Sequence, residues 1–170
     1  MNKNHAYVKK IALCGMLAAI GVIGGSFSVP VGFTRCAPTQ SIINVLGAIF
    51  VGPWYNLALA FVIASIRNIM GTGSIMAFPG SMCVALIAGL LYKMKPALPM
   101  ACLGEIVGTG IISAIMAYPI AIYLLGREAA LFTYVVPFMT AAITGVVLAS
   151  ILVFILDKTG AMKLLKKEAE

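Results

Sequence analysis

Charged residues are scarce in this chain. Only 10% of its 170 residues are Asp, Glu, Lys or Arg, whereas a soluble domain usually has about 25% charged residues to cover its surface. Hydrophobic residues make up 62% of the chain, and the mean hydropathy is +1.07. This composition excludes an ordinary soluble domain. It predicts an all-α integral membrane protein, because a helix satisfies its own backbone hydrogen bonds in lipid.

The chain also lacks the patterns that most catalysts and metal sites need. It has no GxxxxGK[ST] loop for ATP hydrolysis, no HExxH motif and no Ser/His/Asp set. Its one histidine, His5, lies in the N-terminal tail, and its four cysteines form no CxxC pair. We therefore predict no enzymatic activity, no metal, no cofactor and no structural disulfide.

Lysine and arginine separate to opposite sides once membrane-spanning helices are placed on the apolar stretches, with the N-terminus in the cytoplasm. Arg35, Arg67 and Arg127 then fall at outer ends. Because short loops rich in Lys and Arg stay cytoplasmic, the split predicts an even number of spans with both termini inside. Membrane boundaries and anionic lipid also explain the net charge of +7 without nucleic acid. The lysines placed inside are Lys3, Lys9, Lys10, Lys93, Lys95, Lys158, Lys163, Lys166 and Lys167.

The stretch between residues 41 and 70 decides the number of spans. As one kinked helix it gives five spans and puts Lys93 and Lys95 outside. As two helices that turn at Gly52-Pro53 it gives six spans and keeps every lysine inside, although the first of the two is short for a bilayer of about 30 Å. The charge rule favours the turn. We predict one domain over residues 1–170 with spans at residues 11–29, 38–52, 54–70, 75–92, 100–125 and 131–156.

A few polar side chains lie within the predicted spans, where polar groups are costly and usually functional. Arg67, Asn68 and the nearby Thr72 lie at the outer end of the third span, among glycines that let a backbone approach a ligand. Gln40 and Asn44 are four residues apart, so they share one face near the outer end of the second span. Two alternatives stay open, namely snorkelling of the arginine to lipid headgroups and hydrogen bonds that only join helices.

Glu105 is an isolated acid in the fifth span, and Thr109 follows it one turn later. A carboxyl at this depth must be protonated, paired or in contact with water. The predicted topology places Glu105 low in the membrane, in the opposite half from Arg67. Structural pairing and a role in ligand binding both stay open for it.

Aromatic and small side chains gather at the outer ends of the last three spans. They include Phe78 and Ser81 at the start of the fourth span, Tyr118 in the fifth and Tyr134 in the sixth. Aromatic residues at this level often form an interfacial belt. They could equally stack on a flat heterocycle.

Five segments together carry a family resemblance. With them the chain resembles the ThiW group of substrate-binding S-components, which belong to energy-coupling factor (ECF) vitamin transporters. The resemblance implies a six-helix protein of the bacterial plasma membrane that captures a thiamine precursor, hydroxyethylthiazole or a related thiazole, from outside. The segments are INVL at 43–46, GPWY at 52–55, RNIMGTG at 67–73, AFPGSM at 77–82 and GEIVGTG at 104–110.

The resemblance also implies partners and a site. One transmembrane coupling subunit and two ATPase subunits would supply energy, and small residues of the first helix, Gly15 and Ala19, would dock onto the coupling subunit. The pocket would open outward, with the loop that holds Thr34 and Arg35 as a lid. Of the candidates, the resemblance places Arg35, Gln40, Asn44, Arg67, Asn68 and Thr72 in the pocket region, and Glu105 fits it less easily. Together with the polar and aromatic residues named above, the predicted substrate-binding residues are Arg35, Gln40, Asn44, Arg67, Asn68, Thr72, Phe78, Ser81, Glu105, Thr109, Tyr118 and Tyr134.

Two other functions stay open from the residues themselves. A self-sufficient secondary transporter or channel would move a small heterocycle without any ATPase, although the chain has few intramembrane charges with which to couple to an ion gradient. A membrane interaction protein would use its polar groups only to hold helices together. Such a protein would bind no small molecule.

Overall fold

The computed structural model describes residues 3–27, 29–31, 34–124, 126, 133–162 and 165. Most of these residues are helical, and one short two-stranded hairpin follows the first helix. The predicted outer turn at Arg127 and Glu128 lies outside the described residues. The elements are α1 (Lys3–Gly25), β1 (Val29–Val31), β2 (Thr34–Cys36), α2 (Pro38–Phe50), α3 (Pro53–Ile69), α4 (Ala77–Met94), α5 (Leu98–Val107), a π-helical turn (Gly108–Ser113), α6 (Ala114–Tyr123) and α7 (Val135–Lys158).

The first helix begins and ends earlier than the predicted span at residues 11–29. After Gly25 the chain continues as an antiparallel hairpin in which Val29 pairs with Cys36 and Val31 with Thr34. A residue before proline is restricted to extended backbone, so Pro30 explains why Val29 is in a strand rather than in the helix. The loop predicted after the first span therefore contains a β-hairpin.

A tight turn separates α2 from α3. Gly52 has a φ of +84°, a conformation that penalises any residue with a Cβ but not glycine. Pro53 begins α3, where its missing N–H is no loss. The N–H groups of Val51 and Gly52 both donate to the Gly47 carbonyl oxygen, at 3.0 and 3.1 Å. The structure thus has two helices in this stretch, as the lysine distribution predicts.

The short helix α2 lies at the centre of the bundle. It packs against α1, α3, α4, α5 and α7, and every residue from 43 to 50 is buried. Its 13 residues extend about 20 Å, which is less than the hydrocarbon thickness of about 30 Å. Because other helices surround it, α2 does not have to match the bilayer itself.

One buried asparagine joins three helices. Asn56 of α3 is fully buried, and its Nδ2 donates to the carbonyl oxygens of Asn44 in α2 (3.0 Å) and Ala85 in α4 (2.9 Å). Hydrogen bonds of this kind between helices replace the hydrophobic effect, which lipid does not supply. Asn56 therefore holds α3 in position against its neighbours.

Four helical segments are long and apolar enough to cross a membrane, judged by length and composition alone. One of them joins α5, the π-helical turn and α6 into a single rod of 26 residues. With α2 and α3 of 13 and 17 residues, the described chain forms six helical rods. It is an apolar helical bundle with the character of a multi-pass membrane protein. The segments are Tyr7–Gly25, Ala77–Met94, Leu98–Tyr123 and Val135–Lys158.

Candidate ligand-binding site

A cavity of about 80 Å³ lies at one end of the bundle. Helices α2, α4 and α7 begin around it, α3 ends beside it, and the π-helical turn completes its wall. In the predicted topology this is the outer end. The lining residues are Ala37, Gln40, Ser41, Asn44, Ala64, Arg67, Asn68, Gly73, Ser74, Ala77, Phe78, Ser81, Thr109, Ser113, Phe138 and Ala141.

The tertiary structure brings much of the predicted site into this one cavity. The contributing residues come from α2, α3, α4 and the π-helical turn, so no single segment could have formed the site. Seven of the twelve predicted side chains are among its lining residues: Gln40, Asn44, Arg67, Asn68, Phe78, Ser81 and Thr109.

Arg67 is the one charged residue among the described lining residues. It is 8% exposed. Its Nη2 donates to the carbonyl oxygens of Gly25 (3.1 Å) and Thr72 (3.2 Å), and its Nη1 donates to Oε1 of Gln40 at 3.5 Å. Its Nε has no partner among the described residues. All the hydrogen-bond acceptors that the described residues offer to this cation are therefore neutral.

Two neighbouring segments hold the guanidinium. Gly25 at the end of α1 lies directly against it, since a Cβ on Gly25 would lie 2.7 Å from Cζ and 2.8 Å from Cδ of Arg67. Thr72 supports Arg67 from the turn after α3, where its Oγ1 also donates to the Arg67 carbonyl oxygen at 3.4 Å. Thr72 is not a lining residue itself. It acts by positioning Arg67.

A series of polar groups forms the floor of the cavity. Nε2 of Gln40 donates to Oδ1 of Asn44 at 3.4 Å, and Oγ1 of Thr109 donates to Oε1 of Glu105 at 2.7 Å. The side chains of Ser41 and Asn44 face the same carboxyl. Glu105 is fully buried, and its Oε2 has no hydrogen-bond partner among the described residues. The carboxyl thus lies behind the lining and supports the residues that form it.

The depth of Glu105 follows from the short central helix. Helix α2 begins at the cavity, and Asn44 lies in its second turn. Glu105 lies in the third turn of α5. The two side chains are adjacent because these helices approach from opposite ends of the bundle. The predicted topology placed Glu105 in the opposite half of the membrane from the pocket. In the structure its carboxyl is in direct contact with the residues that line the cavity, immediately beneath the floor.

Two phenylalanines supply the aromatic wall. Phe78 packs edge-on against Phe61, with ring centroids 5.7 Å apart and an angle of 77° between the planes. Phe138 of α7 lines the cavity, although it was not in the predicted set. The predicted aromatic of the sixth span, Tyr134, directly precedes α7, one turn before Phe138, and is buried in the cluster that contains Phe138. Tyr134 therefore supports an aromatic wall residue and is not a lining residue.

Three serines that line the cavity were not predicted from the sequence, namely Ser41, Ser74 and Ser113. Ser113 is the most telling, because its Oγ is buried and has no partner among the described residues. The sequence feature that could have identified Ser113 is its spacing of four residues from Thr109, a predicted site residue. In a π-helical turn hydrogen bonds close over five residues, so these two side chains stay on one face, and such turns are frequent at functional sites.

The other predicted residues lie elsewhere. Tyr118 is half-buried in α6 and is not a lining residue, because the wider π-helical turn shifts the faces of α6 relative to those of α5. The side chain of Arg35 lies outside the described part of the chain. Gly15 and Ala19 are exposed on the outward face of α1, and a Cβ on Gly15 would meet nothing within 4 Å.

Comparison with known families assigns the chain to one of them. Residues 11–159 match the family model of the thiamine-precursor transporter protein (ThiW), and this range includes every described lining residue. No curated protein matches the chain in a sequence comparison. A cavity between helices that combines apolar surface with convergent polar groups is the form that a small-molecule site takes in a helical bundle. The chain belongs to the ThiW family, which is a family of thiamine-precursor transporters and not of enzymes.

Proposed function

We propose that this protein is the substrate-binding S-component of an ECF-type importer in the bacterial plasma membrane. Its ligand would be hydroxyethylthiazole or a closely related thiazole. The size of the cavity is the observation that carries this proposal, and the lining and the exposed face of α1 support it.

The cavity has room for one small ring. Its volume is about 80 Å³. The cavity is thus larger than the space that a single water molecule needs, which is roughly 10–15 Å³ of occupied volume. A five-membered ring with short substituents has about half as many non-hydrogen atoms as thiamine with its two linked rings, so it is the better match to a small cavity. The volume therefore favours a precursor over the complete vitamin.

The lining suits an aromatic heterocycle. Phe78 and Phe138 offer aromatic surfaces on which a thiazole can stack. Gln40 and Asn44 offer amide groups, and the Ser113 hydroxyl offers a hydrogen bond that no described residue takes. A buried polar group without a partner costs free energy. A ligand that bonds to Ser113 would recover that cost.

Energy for import would come from other subunits. The sequence has no P-loop with which to hydrolyse ATP. In the proposed complex, one transmembrane coupling subunit binds the small residues on the outward face of α1, and two ATPases bind the coupling subunit. The exposure of Gly15 and Ala19 supports this contact, because small residues let two membrane helices approach closely.

Ligand binding is the first test. The purified protein in detergent is mixed separately with hydroxyethylthiazole, the pyrimidine precursor, thiamine and riboflavin, and thermal unfolding is measured. A ligand at 100 times its dissociation constant should stabilise the fold by about 2.7 kcal/mol, and the thiazole alone should do so. Asn44→Ala should weaken this binding, whereas Thr144→Ala, at an exposed position of α7, should not. Stabilisation by another of these compounds would contradict the proposed identity of the substrate.

Transport is the second test. The protein is reconstituted in liposomes with an ECF coupling subunit and its two ATPases, and uptake of labelled thiazole is followed with and without ATP. Gly15→Leu and Ala19→Leu should abolish uptake and leave binding unchanged, while Thr144→Leu should affect neither. Uptake by the protein alone, without ATPases, would contradict an S-component and identify a secondary transporter.

A further inference from the structure

We infer that the ligand of this cavity carries an oxyanion, either a carboxylate or a phosphate monoester, that binds beside Arg67. This narrows the "closely related thiazole" proposed above to one with an acidic group, in place of the neutral hydroxyethylthiazole, so it rests on the proposed function. Three observations indicate it, and all three concern the sign of the charge at the mouth of the cavity.

The first observation is the set of neutral partners around the buried guanidinium. A guanidinium has five N–H donors and a permanent positive charge. Around Arg67, the described residues supply only the carbonyl oxygens of Gly25 and Thr72 and the amide oxygen of Gln40. A buried charge without an opposite charge is costly. An acidic ligand would provide the opposite charge that these residues do not.

The second observation is that no described lining residue is acidic. Among the acids that the structure describes, Glu105 is the one beside the cavity, and it is fully buried and lies behind Thr109 and Asn44. The carboxyl is therefore screened from the cavity by neutral side chains. An anion at Arg67 would meet no like charge among the described lining residues.

The third observation is the direction of two helices. α2 and α4 both begin at the cavity, where Ala37 and Ala77 line it, and neither N-terminus has a side-chain cap. The N-terminus of a helix carries a partial positive charge, which favours anions. These helix ends add to the charge of Arg67 and have the same sign.

The alternative is that Arg67 only joins α1 to α3 and that the ligand is neutral. Two comparisons separate these cases. One varies the ligand and keeps the protein unchanged. The other varies the charge of the protein at two positions.

The ligand comparison uses wild-type protein and three compounds with the same methylthiazole ring. They are hydroxyethylthiazole, its phosphate monoester and the corresponding thiazole acetic acid. At least one acid should bind about tenfold or more tightly than the alcohol, because charge-assisted hydrogen bonds are roughly twice as strong as neutral ones. Tighter binding of the acetic acid would identify a carboxylate site, and tighter binding of the ester a phosphate site.

The result that overturns the inference is an alcohol that binds as tightly as both acids or more tightly. In that case the proposed function would still stand. If no thiazole binds to folded protein, the proposed function itself fails. Because this comparison needs no variant, it decides the matter even if a substitution at Arg67 unfolds the protein.

The variant comparison tests whether Arg67 is the source of the preference. Arg67→Gln should lose the preference for the acid, and Arg67→Lys should keep part of it, because lysine retains the charge but not the planar donor array. Lys95→Gln removes the same charge at an exposed position and should leave the preference intact. A folded Arg67→Gln protein that still prefers the acid would contradict the assignment.

Discussion

Replacing Gly25 with alanine tests whether the contact between α1 and Arg67 makes the cavity competent for binding. A Cβ at this position would lie 2.7 Å from Cζ of Arg67. Carbon atoms prefer a separation of about 3.5–4.0 Å, so the helix or the guanidinium must move by roughly 0.8 Å or more. Arg67 is buried between α1 and the turn at Thr72, and we expect the guanidinium to be displaced.

The magnitude follows from the hydrogen bonds that the displacement breaks. Nη2 of Arg67 donates to the carbonyl oxygens of Gly25 and Thr72, and a hydrogen bond to a charged group is worth about 1.5–3 kcal/mol. Alanine itself favours a helix over glycine by up to about 1 kcal/mol. If one of the two bonds is lost, the free energy of unfolding should fall by about 0.5–2 kcal/mol.

The assay is thermal unfolding in detergent together with the dissociation constant of the bound thiazole. Affinity should fall about tenfold, which corresponds to about 1.4 kcal/mol. Gly15→Ala is the matched control, since it lies on the same helix and a Cβ there would meet nothing within 4 Å. The control should be slightly more stable than wild type, because alanine favours a helix over glycine, and should keep its affinity for the thiazole.

A Gly25→Ala protein that unfolds no earlier than the Gly15→Ala control and binds its ligand equally well would refute this reasoning. It would mean that α1 can move away without disturbing Arg67. The guanidinium would then be held by the turn after α3 alone.

Three further substitutions separate the lining of the cavity from its support. Glu105→Gln keeps an oxygen for the Thr109 hydroxyl and should bind ligand nearly as well as wild type. Glu105→Ala removes that acceptor and should weaken binding about tenfold, the equivalent of one hydrogen bond. Asn56→Ala removes one of the two donors from each of two buried helical carbonyl oxygens and should lower the free energy of unfolding by about 1–3 kcal/mol in a thermal unfolding assay. Ser113→Ala removes a hydroxyl that has no partner among the described residues, so titration should show lower affinity for ligand while thermal stability stays at or above that of wild type.

Each of these predictions has an outcome that would contradict it. Equal losses in both Glu105 variants would mean that the position supplies a negative charge and not only an acceptor. An Asn56→Ala protein of normal stability would mean that the contacts among α2, α3 and α4 do not depend on this residue. A loss of stability in Ser113→Ala would assign the hydroxyl to the packing of the helices and not to the ligand.

Much of the helix arrangement could be predicted from the sequence because the bilayer imposes strong local rules. The distribution of lysines required a turn between residues 41 and 70, and Gly52 and Pro53 are the residues that provide it, one by its positive φ and the other by its place in the first turn of α3. Charge placement and turn chemistry therefore both divide this stretch into two helices. The start of the hairpin was missed, although Pro30 carried a signal for it.

The candidate site was predicted in part for a similar reason. A polar side chain within an apolar span is conspicuous, so Gln40, Asn44, Arg67 and Thr109 were identified from sequence alone, and the cavity brings them together. Phe138 is one of many aromatic and aliphatic residues in its helix and carries no such signal. Tyr134 was predicted because it is an aromatic residue at the outer end of the sixth span, yet it is buried in packing behind the lining.

By itself the sequence determined the class of protein, the approximate positions of its helices and most of the polar residues that line or support the cavity. These depend on composition, on charge at membrane boundaries and on local turn chemistry, all of which are properties of short segments. Only the tertiary structure decided that Glu105 lies beneath the cavity floor, that Ser113 is among the lining residues, and that the described partners of Arg67 are all neutral. These facts depend on how a short central helix and a π-helical turn set the depth and rotation of side chains from distant segments, which no local pattern encodes.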